Sequence, residues 1–172
     1  MRPAVVLAVL AAAFPGCFLL PKPRLAPEQR FGNRPPAENA QEATIWTVTP
    51  AAPGQMYFYF DVPVSEVVPR VEPRTTAPGD SARVELLVKG SVPNDCYELE
   101  SVTETRQARF VDLTLRMRRP QGVPCRTVIR TYRYYHMLRG VFAPGPYVFS
   151  ANGASRPYEI RLRTMLPRPS SR

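Results

Sequence analysis

Apolar and polar residues alternate with a period of two along most of the chain beyond residue 43. Short segments rich in Val, Tyr, Phe, Thr and Ile carry this pattern: TIWTVT, MYFYFDV, RVELLVKG, FVDLTLRMR, RTVIRTYRYY, GPYVFSANG and RPYEIRLR. Turn signals such as APGD, GSVPND, RPQGVP and NGAS lie between them. Alternation predicts half-buried strands, and several short strands bounded by turn residues predict an all-β fold. We predict a single antiparallel β-sandwich over residues 44–166, followed by a disordered tail at 167–172.

The alternation also predicts which face of each strand is buried. In GPYVFSANG either Tyr147, Phe149 and Ala151 or Val148 and Ser150 face inward, and the Asn-Gly pair that follows predicts a tight hairpin. The predicted core rows are Val84, Leu86 and Val88, then Val111, Leu113, Leu115 and Met117, then Tyr158, Ile160 and Leu162. The opposite, solvent-facing rows contain Arg83, Glu85 and Lys89, then Asp112, Thr114, Arg116 and Arg118, then Arg161 and Arg163.

The chain before residue 44 has a different composition. Residues 21–43 hold five prolines and few apolar residues. Such a segment buries too little apolar surface to offset its ordering entropy, so residues 17–43 are predicted to be a flexible tether. Upstream, Arg2 and the eleven apolar residues of AVVLAVLAAAF are typical of an export signal, because the run is too short to span a bilayer.

The end of this signal, FPGC at residues 14–17, resembles a bacterial lipobox. Gly16 fits the small residue before the cysteine, whereas Phe14 and Pro15 depart from the usual pattern. The resemblance implies a signal peptide at 1–16 and a diacylglyceryl group on Cys17. It also implies a membrane anchor, with the outer membrane of a Gram-negative bacterium favoured because Phe18 is not Asp. The alternative is ordinary secretion with cleavage after Ala12, Ala13 or Gly16.

The three cysteines support the lipoprotein interpretation. An odd number in an exported protein leaves one to explain. If Cys17 is acylated, Cys96 and Cys125 remain to form a disulfide, which persists in an oxidising compartment. No CxxC motif occurs and His136 is the only histidine, so a Cys/His metal set cannot be assembled. We predict no metal site and no cofactor.

The net charge of +9 suggests an anionic partner but does not favour nucleic acid. No run of three or more basic residues and no nucleic-acid-binding module is present, and the export signal directs the chain out of the cytoplasm. Hydrolytic catalysis with a histidine base would have to use His136, which has no acid nearby in sequence and no nucleophile-elbow or HExxH motif. We therefore expect a non-enzymatic protein.

The best candidate for an anion- or partner-binding surface is CRTVIRTYRYYHMLRG. Its interleaved guanidinium and aromatic groups, which can bind anionic sugars or phosphates, belong to Arg126, Arg130, Tyr132, Arg133 and Tyr134. The alternative is a strand whose tyrosines pack and whose arginines reach solvent. A second aromatic run, MYFYFDVP, is apolar on both faces and indicates a buried strand or a partner interface.

Two longer pieces, PGDSARVELLVKGSVPNDCYEL and APGPYVFSANGASRPYEIRL, resemble exported immunoglobulin-like or fibronectin-type sandwich modules over about residues 78–164. No Trp lies between the two cysteines, as an antibody-type domain would have. The resemblance implies the architecture and no particular activity. We expect a lipid-anchored envelope protein with a binding or structural sandwich, whose partner is an anionic envelope polymer or a protein. The alternative is a secreted enzyme inhibitor acting through the loop at 90–95 or at 119–125.

Overall fold

The computed structural model describes residues 25–36, 43–72 and 81–161, which form two packed β-sheets. The four-stranded sheet has the order β1-β7-β4-β3, and the five-stranded sheet has β2-β6-β8-β9 with β5 on β6. This is the predicted β-sandwich, but it is not wholly antiparallel, because β1 pairs with β7 and β6 pairs with β8 in parallel. The strands are β1 (Thr44–Ile45), β2 (Tyr57–Asp61), β3 (Val64–Val71), β4 (Val84–Val92), β5 (Glu98–Gln107), β6 (Phe110–Pro120), β7 (Arg130–Met137), β8 (Gly145–Ala151) and β9 (Ala154–Ile160).

The core lies between the sheets and contains the predicted apolar rows of β4 and β6. On β8 the inward set is Tyr147, Phe149 and Ala151, all buried. The β8–β9 hairpin turns at Asn152-Gly153, both with positive φ, as predicted. The Asn152 side chain also accepts a hydrogen bond from the Leu115 N–H, so it ties the turn to β6.

A sheet switch joins β2 to β3. The chain leaves the five-stranded sheet after β2 and enters the four-stranded sheet one turn later at β3, through Val62 and Pro63. The Tyr132 hydroxyl donates to the Pro63 carbonyl at 2.7 Å. A Cβ at Gly90 would lie 2.2 Å from the same carbonyl oxygen, so only glycine allows this approach.

Two strands differ from the sequence pattern. β3 contains Pro69 and polar residues among its apolar ones, and β5 contains a register shift between Leu99 and Ser101. A bulge of this kind reverses the alternation part-way along a strand, so neither segment shows a clean period of two. β7 begins at Arg130, four residues later than the RTVIRTYRYY pattern suggested.

Residues 25–36, called the strap below, lie against the outer face of the four-stranded sheet. Glu28, in a single 3-10 turn, pairs with Lys89 on β4 at 2.6 Å and with Arg133 on β7 at 2.9 Å. The hydrogen bond from Lys89, followed by charge attraction, holds the pKa of Glu28 below its usual range. Within the tether predicted at 17–43, residues 25–36 thus form ion pairs with strands that are distant along the chain.

A buried ion pair lies beneath the strap. Arg70 on β3 and Glu85 on β4 are fully buried, with Arg70 Nη2 2.9 Å from Glu85 Oε2. Glu85 also accepts hydrogen bonds from the Gly32 N–H at 3.1 Å and from Arg34 at 3.3 Å. The predicted solvent exposure of Glu85 is therefore wrong, because the strap covers that face and supplies the carboxylate with donors.

The predicted signal peptide, Cys17 and the tail at 167–172 lie outside the described residues. Within the described ranges, no helix has the length and apolar character needed to cross a membrane.

Candidate functional site

The five residues of the predicted Arg/Tyr surface do not share one surface. Tyr132 is buried in the core, where its ring stacks on Trp46 with centroids 4.3 Å apart and burial raises its pKa. Arg133 lies on the opposite face of β7, beneath the strap, and pairs with Glu28. The Tyr132 side chain therefore packs in the core, and the Arg133 side chain binds the strap.

The other three members are also separated. Arg126 precedes β7 and pairs with Asp95 through its Nε at 2.8 Å, which holds the pKa of the Asp95 carboxyl below its usual range. Arg130 is exposed at the first position of β7. Tyr134 is half-buried, and its hydroxyl contacts His136. Within the described ranges only Arg130 of the five has no ion pair, ring contact or side-chain hydrogen bond.

The single histidine belongs to a polar array that connects the two sheets. His136 on β7 contacts the Tyr134 hydroxyl through Nδ1 at 3.2 Å and Glu104 on β5 through Nε2 at 3.1 Å. Glu104 also accepts the backbone N–H of Arg139. Burial raises the pKa of Tyr134, which disfavours a tyrosinate nucleophile. The sequence did not reveal Glu104 as the acid partner of His136, because the two residues lie far apart along the chain. The contacts of His136 favour a structural role in which its side chain links the two sheets.

The most exposed aromatic surface lies on β2, an edge strand of the five-stranded sheet. Its sequence is Tyr-Phe-Tyr-Phe-Asp, and the side chains of Phe58 and Tyr59 are 47% and 50% exposed. Phe60 contacts the ring of Tyr97 edge-on, with centroids 5.6 Å apart. We call Tyr57–Asp61 the aromatic edge.

The aromatic edge also presents unpaired backbone groups. The Val62 N–H donates to the Leu115 carbonyl at 3.2 Å, one position beyond β2, and this sets the phase of the ladder with β6. Because bonded and non-bonded positions alternate in an antiparallel ladder, Tyr59 and Asp61 direct their N–H and C=O groups away from β6. No other strand in the described part of the chain pairs with this side of β2.

Two arginines of β6 flank the aromatic edge. The guanidinium of Arg116 lies 6.0 Å from the ring centre of Tyr59, and that of Arg119 lies 5.5 Å from Phe58. Neither arginine forms an ion pair with any residue that the structure describes. They add positive charge and cation–π contact to the exposed rings.

A third arginine of β6, Arg118, has a different role. It was predicted on the solvent face but is buried, since its Nη2 donates to the carbonyls of Thr49 and Pro50 and to Glu98 at 3.1 Å. Its guanidinium also lies 4.6 Å from the ring centre of Tyr57. Arg118 therefore fixes the segment before β2 against β5 and β6.

The loop that joins β6 to β7, residues 121–129, is attached to the turn between β4 and β5, and we call it the braced loop. The predicted disulfide between Cys96 and Cys125 is present. Arg126 adds a second clamp through two hydrogen bonds to Asp95, one from its backbone N–H. Beyond the clamp Ile129 is 77% exposed, so a constrained loop presents an apolar side chain to solvent.

Comparison with known proteins gives one match. Residues 86–160 match the family model of the ORF11 beta-sandwich domain. The matched part runs from β4 to the end of β9, and it agrees with the two sheets described above. The strap and the aromatic edge lie before the part matched to the ORF11 beta-sandwich domain. No curated protein and no solved structure matches the chain.

No group of three metal-ligating side chains occurs among residues 25–36, 43–72 and 81–161. The sequence pattern MYFYFDVP had already indicated a buried strand or a partner interface. What the sequence did not reveal is that β2 lies at an edge, because this depends on the sheet switch at Val62 and Pro63.

Proposed function

We propose that this chain is an exported, lipid-anchored envelope protein whose sandwich is a non-catalytic binding module. The lipobox-like FPGC supports acylation of Cys17. The disulfide between Cys96 and Cys125 supports an oxidising compartment and leaves Cys17 as the unpaired third cysteine. The paired sheets and the turn signals also support an immunoglobulin-like arrangement of the sandwich.

Mass spectrometry of the mature N-terminus tests the anchor. We expect a protein that begins at Cys17 and carries a diacylglyceryl group, with a further acyl chain on its amine, because two or more chains give stable membrane residence. A Cys17→Ser chain is the matched control and should be recovered without the lipid mass. An unmodified N-terminus at another residue would show that the protein is secreted without this anchor.

The aromatic edge is the observation that carries the binding role. An edge strand with free N–H and C=O groups can accept an extended segment of another protein as an added strand. Exposed aromatic side chains and arginine are enriched where proteins bind each other. The residues first assigned to an anionic polymer lie apart from each other, so we favour a protein partner over an envelope polymer.

Site-specific photo-crosslinking in intact cells tests this role. A benzophenone amino acid in place of Tyr59 should give a discrete adduct of higher mass, because this position faces the open edge. The control position is Val141, which has a similar exposure of 54% and lies outside β2. No adduct at Tyr59, or the same adducts at both positions, would contradict binding at the aromatic edge.

The braced loop favours a second candidate function for this chain, which is the inhibition of a secreted enzyme. A disulfide-constrained loop with an exposed apolar side chain loses little entropy on insertion into a cleft. The same crosslinking experiment separates the two functions. An adduct between a peptidase and a probe at Ile129, without an adduct at Tyr59, would favour the inhibitor.

A further inference from the structure

A groove of about 590 Å³ lies between the strap, the edge strand β3 and β9. The strap contributes one wall, and it is held there by the ion pairs of Glu28 and the hydrogen bonds to Glu85. We call this space the strap groove. Its volume falls within the range of sites that bind small molecules, which is roughly 300–1,000 Å³.

The walls of the strap groove are largely apolar. Phe31 and Leu25 come from the strap, Val68 and Val71 come from β3, and Tyr158 comes from β9. Leu25 is 60% exposed at the rim, whereas the β3 and β9 side chains are half-buried. An apolar chain placed here would remove hydrocarbon surface from water on three sides.

Two arginines add positive charge to these apolar walls. Arg30 on the strap and Arg156 on β9 both line the groove and are both exposed. Neither forms an ion pair with any residue in the described ranges, and Arg30 uses only its Nε, which donates to the Leu25 carbonyl at 3.4 Å. The acidic residue of the lining, Glu66, is already paired with Lys89 at 3.3 Å. Guanidinium groups with free N–H donors can bind carboxylate or phosphate through paired hydrogen bonds.

We propose that the strap groove binds an anionic amphiphile, with its acyl chain along the apolar walls and its head group between Arg30 and Arg156. The charge of the two arginines excludes a cationic amphiphile, and the apolar walls disfavour a fully polar anion. A free fatty acid and a single-chain phospholipid share the required chemistry. This inference is independent of the aromatic edge and of acylation at Cys17.

Calorimetric titration tests the groove on the full chain carrying Cys17→Ser, which cannot bear an acyl chain of its own. The probes are dodecanoate, dodecanoyl-lysophosphatidylglycerol and dodecanol. We expect both anionic probes to bind more tightly than dodecanol, and the tighter of the two identifies the source of the natural ligand. The variant Arg30→Gln/Arg156→Gln should bind the anionic probes about tenfold more weakly and dodecanol with less than about a twofold change.

Arg130→Gln provides the matched control, because it removes the same charge from an exposed position outside the groove lining. Its affinity for dodecanoate should equal that of the parent chain. Thermal unfolding of each variant confirms that the sandwich is folded. The proposal is overturned if the parent chain does not bind dodecanoate, or if the double arginine variant binds it as tightly as the parent. The photo-crosslinking experiment at Tyr59 tests the aromatic edge separately, so neither outcome of the titration bears on that proposal.

Discussion

Replacing Glu85 by alanine is expected to lower the free energy of unfolding by about 3–5 kcal/mol, because it leaves the buried Arg70 without its counter-charge. Arg70 and Glu85 are both fully buried, and the carboxylate also accepts hydrogen bonds from Gly32 and Arg34 of the strap. Urea unfolding followed by circular dichroism measures the change. Trypsin should also cleave more rapidly after Arg30, since the strap loses the hydrogen bonds that Gly32 and Arg34 donate to Glu85.

Two further variants distinguish the cost of leaving the charge of Arg70 buried and unpaired from the cost of simply losing a side-chain contact. Glu159→Ala removes an exposed carboxylate that pairs with Arg161, and its effect should stay below about 1 kcal/mol. Arg70→Met/Glu85→Leu replaces both charges with apolar groups. Because Arg70 Nε has no hydrogen-bond partner in the described part of the chain, the double variant should be more stable than Glu85→Ala. Equal losses for Glu85→Ala and Glu159→Ala would contradict a structural role for the buried pair.

Removing the disulfide with Cys96→Ser/Cys125→Ser is expected to cost roughly 3–4 kcal/mol, since the bridge closes a long loop in the unfolded chain. In a domain of this size the thermal midpoint should fall by roughly 10–15 °C. Differential scanning calorimetry measures both quantities. The ion pair between Arg126 and Asp95 would remain, so we expect the loop to stay close to its position in the folded state.

Reductant supplies the control for the disulfide variant. Dithiothreitol should bring the midpoint of the parent chain to that of the double variant and leave the double variant unchanged. A parent chain that keeps its midpoint after its thiols have been shown to be free would contradict stabilisation by the bridge.

The sequence pattern predicts strands best where one face meets the core and the other meets water. β6 and the β8–β9 hairpin satisfy this condition, and Asn152-Gly153 marks the turn. β5 does not, because the bulge after Leu99 shifts its alternation. β4 is buried on both faces, and this follows from the strap, whose contacts with Glu85 join residues far apart in sequence.

The candidate site was harder to predict for the same reason. The Arg/Tyr stretch satisfied a local pattern, but Tyr132 packs on Trp46 and Arg133 binds Glu28, and both partners lie far away along the chain. The aromatic edge is a property of sheet topology, since the outward backbone groups of Tyr59 are open because no other strand in the described part of the chain pairs with that side of β2. The disulfide was predictable, because counting cysteines requires no geometry.

If Cys17 carries the proposed lipid, the strap limits how far the sandwich can move from the membrane. Only seven residues lie between Cys17 and Leu25, and a fully extended chain over these eight steps spans at most about 29 Å. If the chain were free as far as residue 43, the span would reach about 90 Å. A shorter connecting segment would confine the domain to a thin layer above the lipid and would raise the local concentration of any partner held in that layer. Release of the strap would then change which molecules the domain can meet, without any change in the domain itself.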